Sequence, residues 1–434
     1  MVYENNWESL NSRKVPEWFG KAKFGIFIHW GLYSIPAYAP IKDYAEWYGY
    51  SCNMENPETE AQAKYKAFHK EHYNSKPYYD FKDEFTGHRF DANKWADLFK
   101  RAGAKYINFV SKHHDGYCLY ETEYAPGLNS VECAPKRDFL MELKNALEGT
   151  GVRFGVYHSV YEWWHPYYLE DPEKYALEHL HPMLKELVEK YQPATLFTDG
   201  EWEHESSVWH STEVLQWLYN ESSVKDFIVP NDRWGKGTRG RLGGNFTTEY
   251  GEIEGGRRIE DVVLDRPFEE CRGIGKSFGV NRIETTEDYM SAKELLTTLC
   301  ELVSKGGNFL LNIGPNADGT IPVIMEERLL QMGDWLSVNG DAIYGTEIYT
   351  KHVQKDIFYT KKGDTVYAIL TRFPFGCVTL DEVPYAPTLT AKLLSCPDAP
   401  ITVRDNGGKA ELCFAPINPE DVKCQWLYAV ALNP

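Results

Sequence analysis

Residues 24–30 (FGIFIHW), 106–115 (YINFVSKHHD), 154–158 (FGVYH) and 194–199 (ATLFTD) share one plan, a short apolar run that ends in titratable side chains. Runs of this length and composition read as buried strands. Their ends carry His29 and Trp30, then His113, His114 and Asp115, then Tyr157 and His158, then Asp199. Core strands ordinarily give way to turn residues at that point. Polar groups gathered at the C-terminal ends of successive parallel strands are how a (β/α)8 barrel builds an active site. The pattern predicts an enzyme.

The segments between these runs have helical period. Asp91 can cap a helix whose apolar face is Trp95, Leu98, Phe99 and Ala102, with Gly103 as its stop. Leu140, Leu143, Ala146 and Leu147 make the next face, and residues 173–191 a longer one interrupted near Pro182. A helix near 211–219 leads to an apolar run at 227–230, which ends in Asn231, Asp232, Arg233 and Trp234. Ser291 and Glu294 form a capping box on a helix bearing Leu295, Leu299 and Leu302, and a strand follows at 308–313. Helix–strand units repeated in this way imply a parallel sheet, and their number favours a closed barrel over an open sheet. No G-x-G-x-x-G follows the first strand, which counts against dinucleotide binding. Beyond residue 345 the texture changes to short alternating runs such as 365–371, with turns at Gly363-Asp364 and Asn406-Gly407-Gly408. The expected class is therefore α/β, with a (β/α)8-like (TIM-type) barrel over residues 1–345 and an antiparallel β-sandwich domain over 346–434. The Gly- and Arg-rich stretch 235–285 reads as one long irregular loop over the active site.

The 434 residues carry a formal charge of -18, which argues against nucleic acid or an anionic membrane surface as partner. Nine cysteines, irregularly spaced and without C-x-x-C, argue against a disulfide framework and for reduced thiols. The first twenty residues are polar and lack the apolar core of a secretory signal, so the expected location is cytoplasmic. Asn220-Glu-Ser and Asn245-Phe-Thr match the glycosylation sequon and read as chance in that setting. The 13 Trp and 29 Tyr suit either core packing or the stacking of sugar C–H faces.

Asp199 closes its strand and is followed by Gly200, Glu201, Trp202, Glu203 and His204. A carboxylate there is placed to be a nucleophile, or simply to cap a turn. Metal-dependent barrel hydrolases take ligands at alternate positions of one strand, because residues i and i+2 share a face. His113 and His114 are adjacent and so point apart, which favours hydrogen bonding to substrate hydroxyls, or a satisfied core, over a metal site. A metal hydrolase using His29, His113, His114 and Asp199 stays as the rival. The same period places Phe27 and Phe197 one layer beneath His29 and Asp199, as an aromatic floor. A second carboxylate for acid/base work could be Glu201, Glu203, Asp232, Glu249, Glu252, Glu254, Glu269 or Glu270, and spacing does not choose among them.

Residues 23–31 (KFGIFIHWG), 46–48 (EWY), 112–116 (KHHDG), 231–235 (NDRWG), 272–279 (RGIGKSFG), 304–315 (SKGGNFLLNIGP) and 340–345 (GDAIYG) occur in this order, and the chain with them resembles the α-L-fucosidases of glycoside hydrolase family 29. The resemblance implies a retaining exo-fucosidase that needs no metal or cofactor and acts on fucosylated oligosaccharides or glycoconjugates. It implies Asp199 as nucleophile and Glu269 as acid/base, with Glu270 and the 249–254 cluster as alternatives. His29, Glu46, Trp47, His113, His114 and Tyr157 are implied to bind fucose, and the Phe27/Phe197 floor read from strand alternation is then placed to receive its methyl group. A catalytically silent sugar-binding protein on the same fold is the reading from a different class.

Overall fold

A computed structural model describes residues 2–240, the backbone of 247–248, and residues 267–350 and 354–434. Eight parallel strands form one sheet: β1 (Phe24–Ile28), β2 (Tyr106–Lys112), β3 (Val156–Ser159), β4 (Thr195–Asp199), β5 (Val229–Pro230), β6 (Thr247–Thr248), β7 (Phe268–Gly273) and β8 (Asn308–Ile313). Their order is β5-β4-β3-β2-β1-β8-β7-β6. Chain neighbours are thus sheet neighbours, and the last strand returns to the first through the β1–β8 ladder. This is the (β/α)8-like barrel; among the described residues no ladder joins β5 to β6.

The stretch expected as one irregular loop instead carries two barrel strands, β6 and β7. Strand β6 is two residues long, and β7 (FEECRG) puts charged side chains where a buried parallel strand normally has aliphatic ones. Periodicity could not flag either.

The helices start and stop as their side chains dictate. Asp91 accepts from the backbone amides of Asn93 and Lys94, and the Ser291/Glu294 capping box closes in both directions. The interruption near Pro182 is a π-helical turn over Ala176–Leu180 running into the helix His181–Tyr191.

The C-terminal strands are β9 (Glu347–Ile348), β10 (Ile357–Lys362), β11 (Thr365–Leu370), β12 (Gly376–Pro384), β13 (Thr390–Leu393), β14 (Ile401–Asn406), β15 (Lys409–Phe414) and β16 (Tyr428–Asn433). They form a five-stranded sheet, β13-β16-β11-β10-β9, and a three-stranded one, β12-β15-β14. Alternation along β11 and β16 divides their side chains. Ala368, Leu370, Val430 and Leu432 join the sandwich core, whereas Tyr367, Ile369, Ala429 and Ala431 join the core around the barrel. Trp335 Nε1 donates to Leu427 O at 2.8 Å across that boundary.

Cys377 and Cys413 lie directly opposite each other in the β12–β15 register and are joined as a disulfide. This corrects the expectation of uniformly reduced thiols. A 36-residue separation carries no sequence signal; strand pairing brings the two together.

Candidate active site

At the C-terminal ends of the strands the barrel opens into a cavity of about 610 Å³. Phe27, Tyr157 and Phe197 project inward and pack together, with Phe27 and Phe197 ring centroids 5.0 Å apart and Tyr157 and Phe197 at 5.9 Å. These rings are the floor. His29, Glu46, Trp47, His113, His114, Asp199, Trp202, Arg233, Arg239, Cys271 and Phe278 line the space above it. Nine of the ten site residues expected from sequence therefore meet at one place.

Asp199 ends β4 and is held from three sides. Tyr157 OH donates to its Oδ2 at 3.0 Å, the Arg233 guanidinium pairs directly with Oδ1, and Arg239 Nη2 stands 3.8 Å away. Burial alone would raise its pKa, but the groups around it, Arg233 foremost and then His114 and Arg239, outweigh it and hold the carboxyl down at about 2. Arg233 also lies over the Phe197 ring at 5.0 Å, which fixes its direction.

The histidines are neutral. Burial pushes His29 and His114 down to about 4, and His113 well below its ordinary value. Asn312 Nδ2 donates to Phe278 O at 2.7 Å, so its Oδ1 faces His29 Nδ1 at 2.6 Å and must accept. That network assigns the proton to Nδ1 and leaves the Nε2 lone pair free to accept. His114 follows the same logic. Ser159 donates to Tyr161 O at 2.6 Å and accepts from His114 Nδ1 at 2.5 Å. Both imidazoles thus carry their acceptor at Nε2, that of His114 3.8 Å from Asp199 Oδ2, a pattern suited to hydroxyl donors. His113 stacks on Tyr157 with 13° between the planes, and its Nδ1 is buried without a hydrogen-bond partner.

Glu46, in the short helix Ala45–Trp47, accepts from Gly279 N at 2.8 Å and Ser277 Oγ at 3.2 Å. Burial nevertheless pushes it up to about 7. A Cβ at position 279 would lie 3.1 Å from the Tyr33 ring and 3.2 Å from the Glu46 backbone nitrogen, a tight fit that the glycine relieves. Trp47 packs on His114 at 5.1 Å and on Trp202 at 6.1 Å with 28° between planes.

Glu269 is the exception. Cys271, two residues along β7 and on the same face, lines the cavity; Glu269 sits one layer lower and is fully enclosed. It pairs in register with Asn308, the first residue of β8, and accepts from the hydroxyl of Tyr106, the first residue of β2. Those partners belong to the opposite end of the barrel, beneath the aromatic floor. Its Oε1 has no hydrogen-bond partner, and burial raises its pKa to about 8. Glu269, expected as acid/base, thus lies outside the lining of the cavity that the other nine share, since strand alternation fixes the face and not the depth. The other carboxyls considered are also committed: Glu270 to Arg272 at 2.6 Å, Glu201 to Arg239 at 2.6 Å, Glu203 to Tyr168 at 2.7 Å and Asp232 to Gly240 N at 2.6 Å. Glu249, Glu252 and Glu254 lie outside the described residues.

Sequence reasoning assigned no role to Arg233, Arg239, Asn312, Phe278 or Trp202. Arg233 had a signal, since it follows an apolar run as His29 and His113 do. Asn312 had none; inside FLLNI it reads only as a strand residue.

Among the described residues, the side chains close enough to share a metal ion are Glu162, His165 and His179, and Cys377, Glu411 and Cys413. The quartet of the rival metal-hydrolase reading does not form such a group. Glu162 is already paired with Lys112 Nζ at 2.7 Å, and the two cysteines are bonded to each other.

A barrel of this type, with an ionised carboxylate, neutral imidazoles and an aromatic floor in one cavity, defines the class of barrel glycoside hydrolases. The sequence model described as Alpha-L-fucosidase matches residues 1–341. The chain belongs to that family, glycoside hydrolase family 29. It is 40% identical to a plasma α-L-fucosidase of Homo sapiens, over 99% of this chain and 92% of that one, and 40% identical to an α-L-fucosidase of Dictyostelium discoideum, over 86% and 81%. A Thermotoga maritima α-fucosidase solved with a mechanism-based inhibitor superposes with a TM-score of 0.84 at 34% identity, covering all of both chains. The same enzyme solved with fucose gives a TM-score of 0.82 over 99% and 100%. This kinship overturns the cytoplasmic location expected from the N-terminus, because the relatives include plasma proteins. The Cys377–Cys413 disulfide points the same way.

Proposed function

We propose that this α-L-fucosidase removes terminal α-L-fucosyl groups from fucosylated oligosaccharides and glycoconjugates by double displacement, with Asp199 as the nucleophile. Asp199 attacks the anomeric carbon as the glycosidic C–O bond breaks and a proton passes to the departing oxygen. Water, deprotonated by the same acid/base, then releases fucose with its configuration retained. His29 and His114 accept from sugar hydroxyls through Nε2, and Glu46, Trp47 and His113 complete the walls. The Phe27/Phe197 floor takes the C6 methyl and disfavours a hydroxymethyl there, whose hydroxyl would lie unpaired against aromatic carbon. Arg233 keeps the nucleophile ionised while Tyr157 orients it.

Glu269, beneath the floor, is not offered as the proton donor. That role passes to Glu249, one of the alternatives raised from sequence. It is the next residue in the chain after β6, as His29 follows β1 and His113 follows β2. Glu46 is the second reading, because it lines the cavity and is pushed toward neutrality.

The observation that carries the proposal is the state of Asp199, a largely buried carboxylate kept at about 2 by Arg233 above an apolar floor. Asp199→Ala should lower turnover of an aryl α-L-fucoside by about a thousandfold or more. Added azide should restore part of the rate and yield a β-fucosyl azide. Near-normal activity in the variant would remove Asp199 from the mechanism.

A further inference from the structure

A second cluster of titratable side chains, which the reaction does not use, lies beside the turn after β2. Glu162, in the loop after β3, packs against Gly116 of that turn; a Cβ on the glycine would fall 2.8 Å from Glu162 Oε1. His165 precedes the short helix Pro166–Glu170, and His179 sits in the π-helical turn Ala176–Leu180. Their imidazole rings are 4.2 Å apart with 38° between the planes. His179 is only 7% exposed, and its Nε2 faces Glu162 Oε2 across 3.4 Å without making a hydrogen bond. His165 Nδ1 is likewise buried with no hydrogen-bond partner. Two bare ring nitrogens beside one carboxylate are costly, because a buried polar atom left unpaired loses its hydration without replacement.

We propose that Glu162, His165 and His179 form a structural site for a divalent transition metal ion, with zinc the best fit, and that the ion fastens the loop after β3 to the π-helical turn. One ligand atom from each residue lies within 4.8 Å of the others. Zinc bonds of about 2.0–2.1 Å at tetrahedral angles put ligand atoms about 3.3–3.4 Å apart. Glu162 Oε2 and His179 Nε2 already stand at that spacing. Two imidazoles and one carboxylate are a donor set that zinc takes, whereas calcium and magnesium prefer oxygen throughout. Lys112 Nζ at 2.7 Å and Tyr175 OH at 3.0 Å donate to Glu162 Oε2. They do not exhaust the carboxylate, which has about four acceptor sites, and such hydrogen bonds hold a ligating carboxylate in direction. π-Helical turns are rare and occur frequently at functional sites, and this one carries His179. None of the three residues lines the catalytic cavity, so the ion supports the fold and takes no part in turnover.

The test uses the whole enzyme, without a polyhistidine tag, stripped of metal by chelation and then titrated with Zn2+ alone. Calorimetry should find one ion per chain, with Kd at about micromolar or below. At about a hundredfold excess over Kd the melting temperature should rise by about 3 °C. His165→Ala and His179→Gln should each weaken uptake by about tenfold or more and remove that rise. His165 is half-buried, so its truncation serves as the folded variant should His179→Gln fail to fold. Ca2+ should give no rise. Turnover of an aryl α-L-fucoside should stay within about twofold of wild type in both variants and in the chelated enzyme. Absence of uptake, uptake that persists in either variant, or an equal response to Ca2+ overturns the site. Loss of turnover on chelation overturns its structural role.

Discussion

Asp199 and Glu269 are two carboxyls on strands of one barrel, and their surroundings drive them in opposite directions. Burial raises both; Arg233, with smaller help from His114 and Arg239, then brings Asp199 down to about 2, while Glu269, with only Tyr106 as a strong partner, stays at about 8. Replacing Arg233 with Met removes the main opposing charge, so the pKa of Asp199 must rise and the acid limb of kcat/KM should move upward by about one pH unit or more. A pH profile whose acid limb stays in place would contradict that role. The proton donor is tested at the same scale. Glu249→Gln should slow fucosides with poor leaving groups far more than fucosyl fluoride, whereas Glu269→Gln should slow both to a similar, small extent. Glu269→Gln should instead change stability. Between pH 4.5 and 8 the folded protein holds a proton on Glu269 that the unfolded chain has lost, so this group makes wild-type stability fall as pH rises. One proton corresponds to about 1.4 kcal/mol per pH unit at most, and the glutamine variant should lack that slope in thermal melts. The depth of Glu269 was not legible because a motif position marks a place along the chain, not a layer of the barrel.

At the level of elements, legibility followed burial. Strands β1, β2, β4 and β8 are buried on both faces, each around a short apolar run, so each appeared within a residue or two of its N-terminal edge. Strand β3 begins two residues later than its apolar run, at Val156, and the preceding Gly155 is packed closely between β2 and β4. A Cβ at position 155 would fall 1.8 Å from Thr195 Oγ1 and 2.5 Å from Ile107 O. Both are held, Thr195 by a hydrogen bond to Asn108 and Ile107 by the sheet, so neither can give way cheaply. Gly155→Ala should therefore destabilise the enzyme by about 2–4 kcal/mol in denaturant titration. A loss below about 1 kcal/mol would show that the packing there is looser than described. Strands β6 and β7 stayed illegible because β6 is two threonines long and β7 is rich in charged residues, so neither carries a hydrophobic period.

For the molecule as a whole, the alternation of units predicted the barrel, and the change of texture after residue 345 predicted the antiparallel sheets. What composition missed was compartment. Nine irregular cysteines looked like ordinary thiols until β12 and β15 brought two of them face to face, and the plasma relatives removed the cytoplasmic expectation. The barrel and the sandwich also share a core through Tyr367, Ile369, Ala429 and Ala431, so the C-terminal sheets belong to the structural support of the barrel. The central claim is that this assembly places one nucleophile, Asp199, against the anomeric carbon. Its most direct test is to incubate the intact enzyme with 2-deoxy-2-fluoro-L-fucosyl fluoride, which slows release of the covalent intermediate, and to locate the label by mass spectrometry of the digested protein. One fluorofucosyl group per chain is expected, on the peptide that contains Asp199. Label on Glu46, Glu269 or any other residue, or turnover to a product of inverted configuration with no label at all, would contradict it.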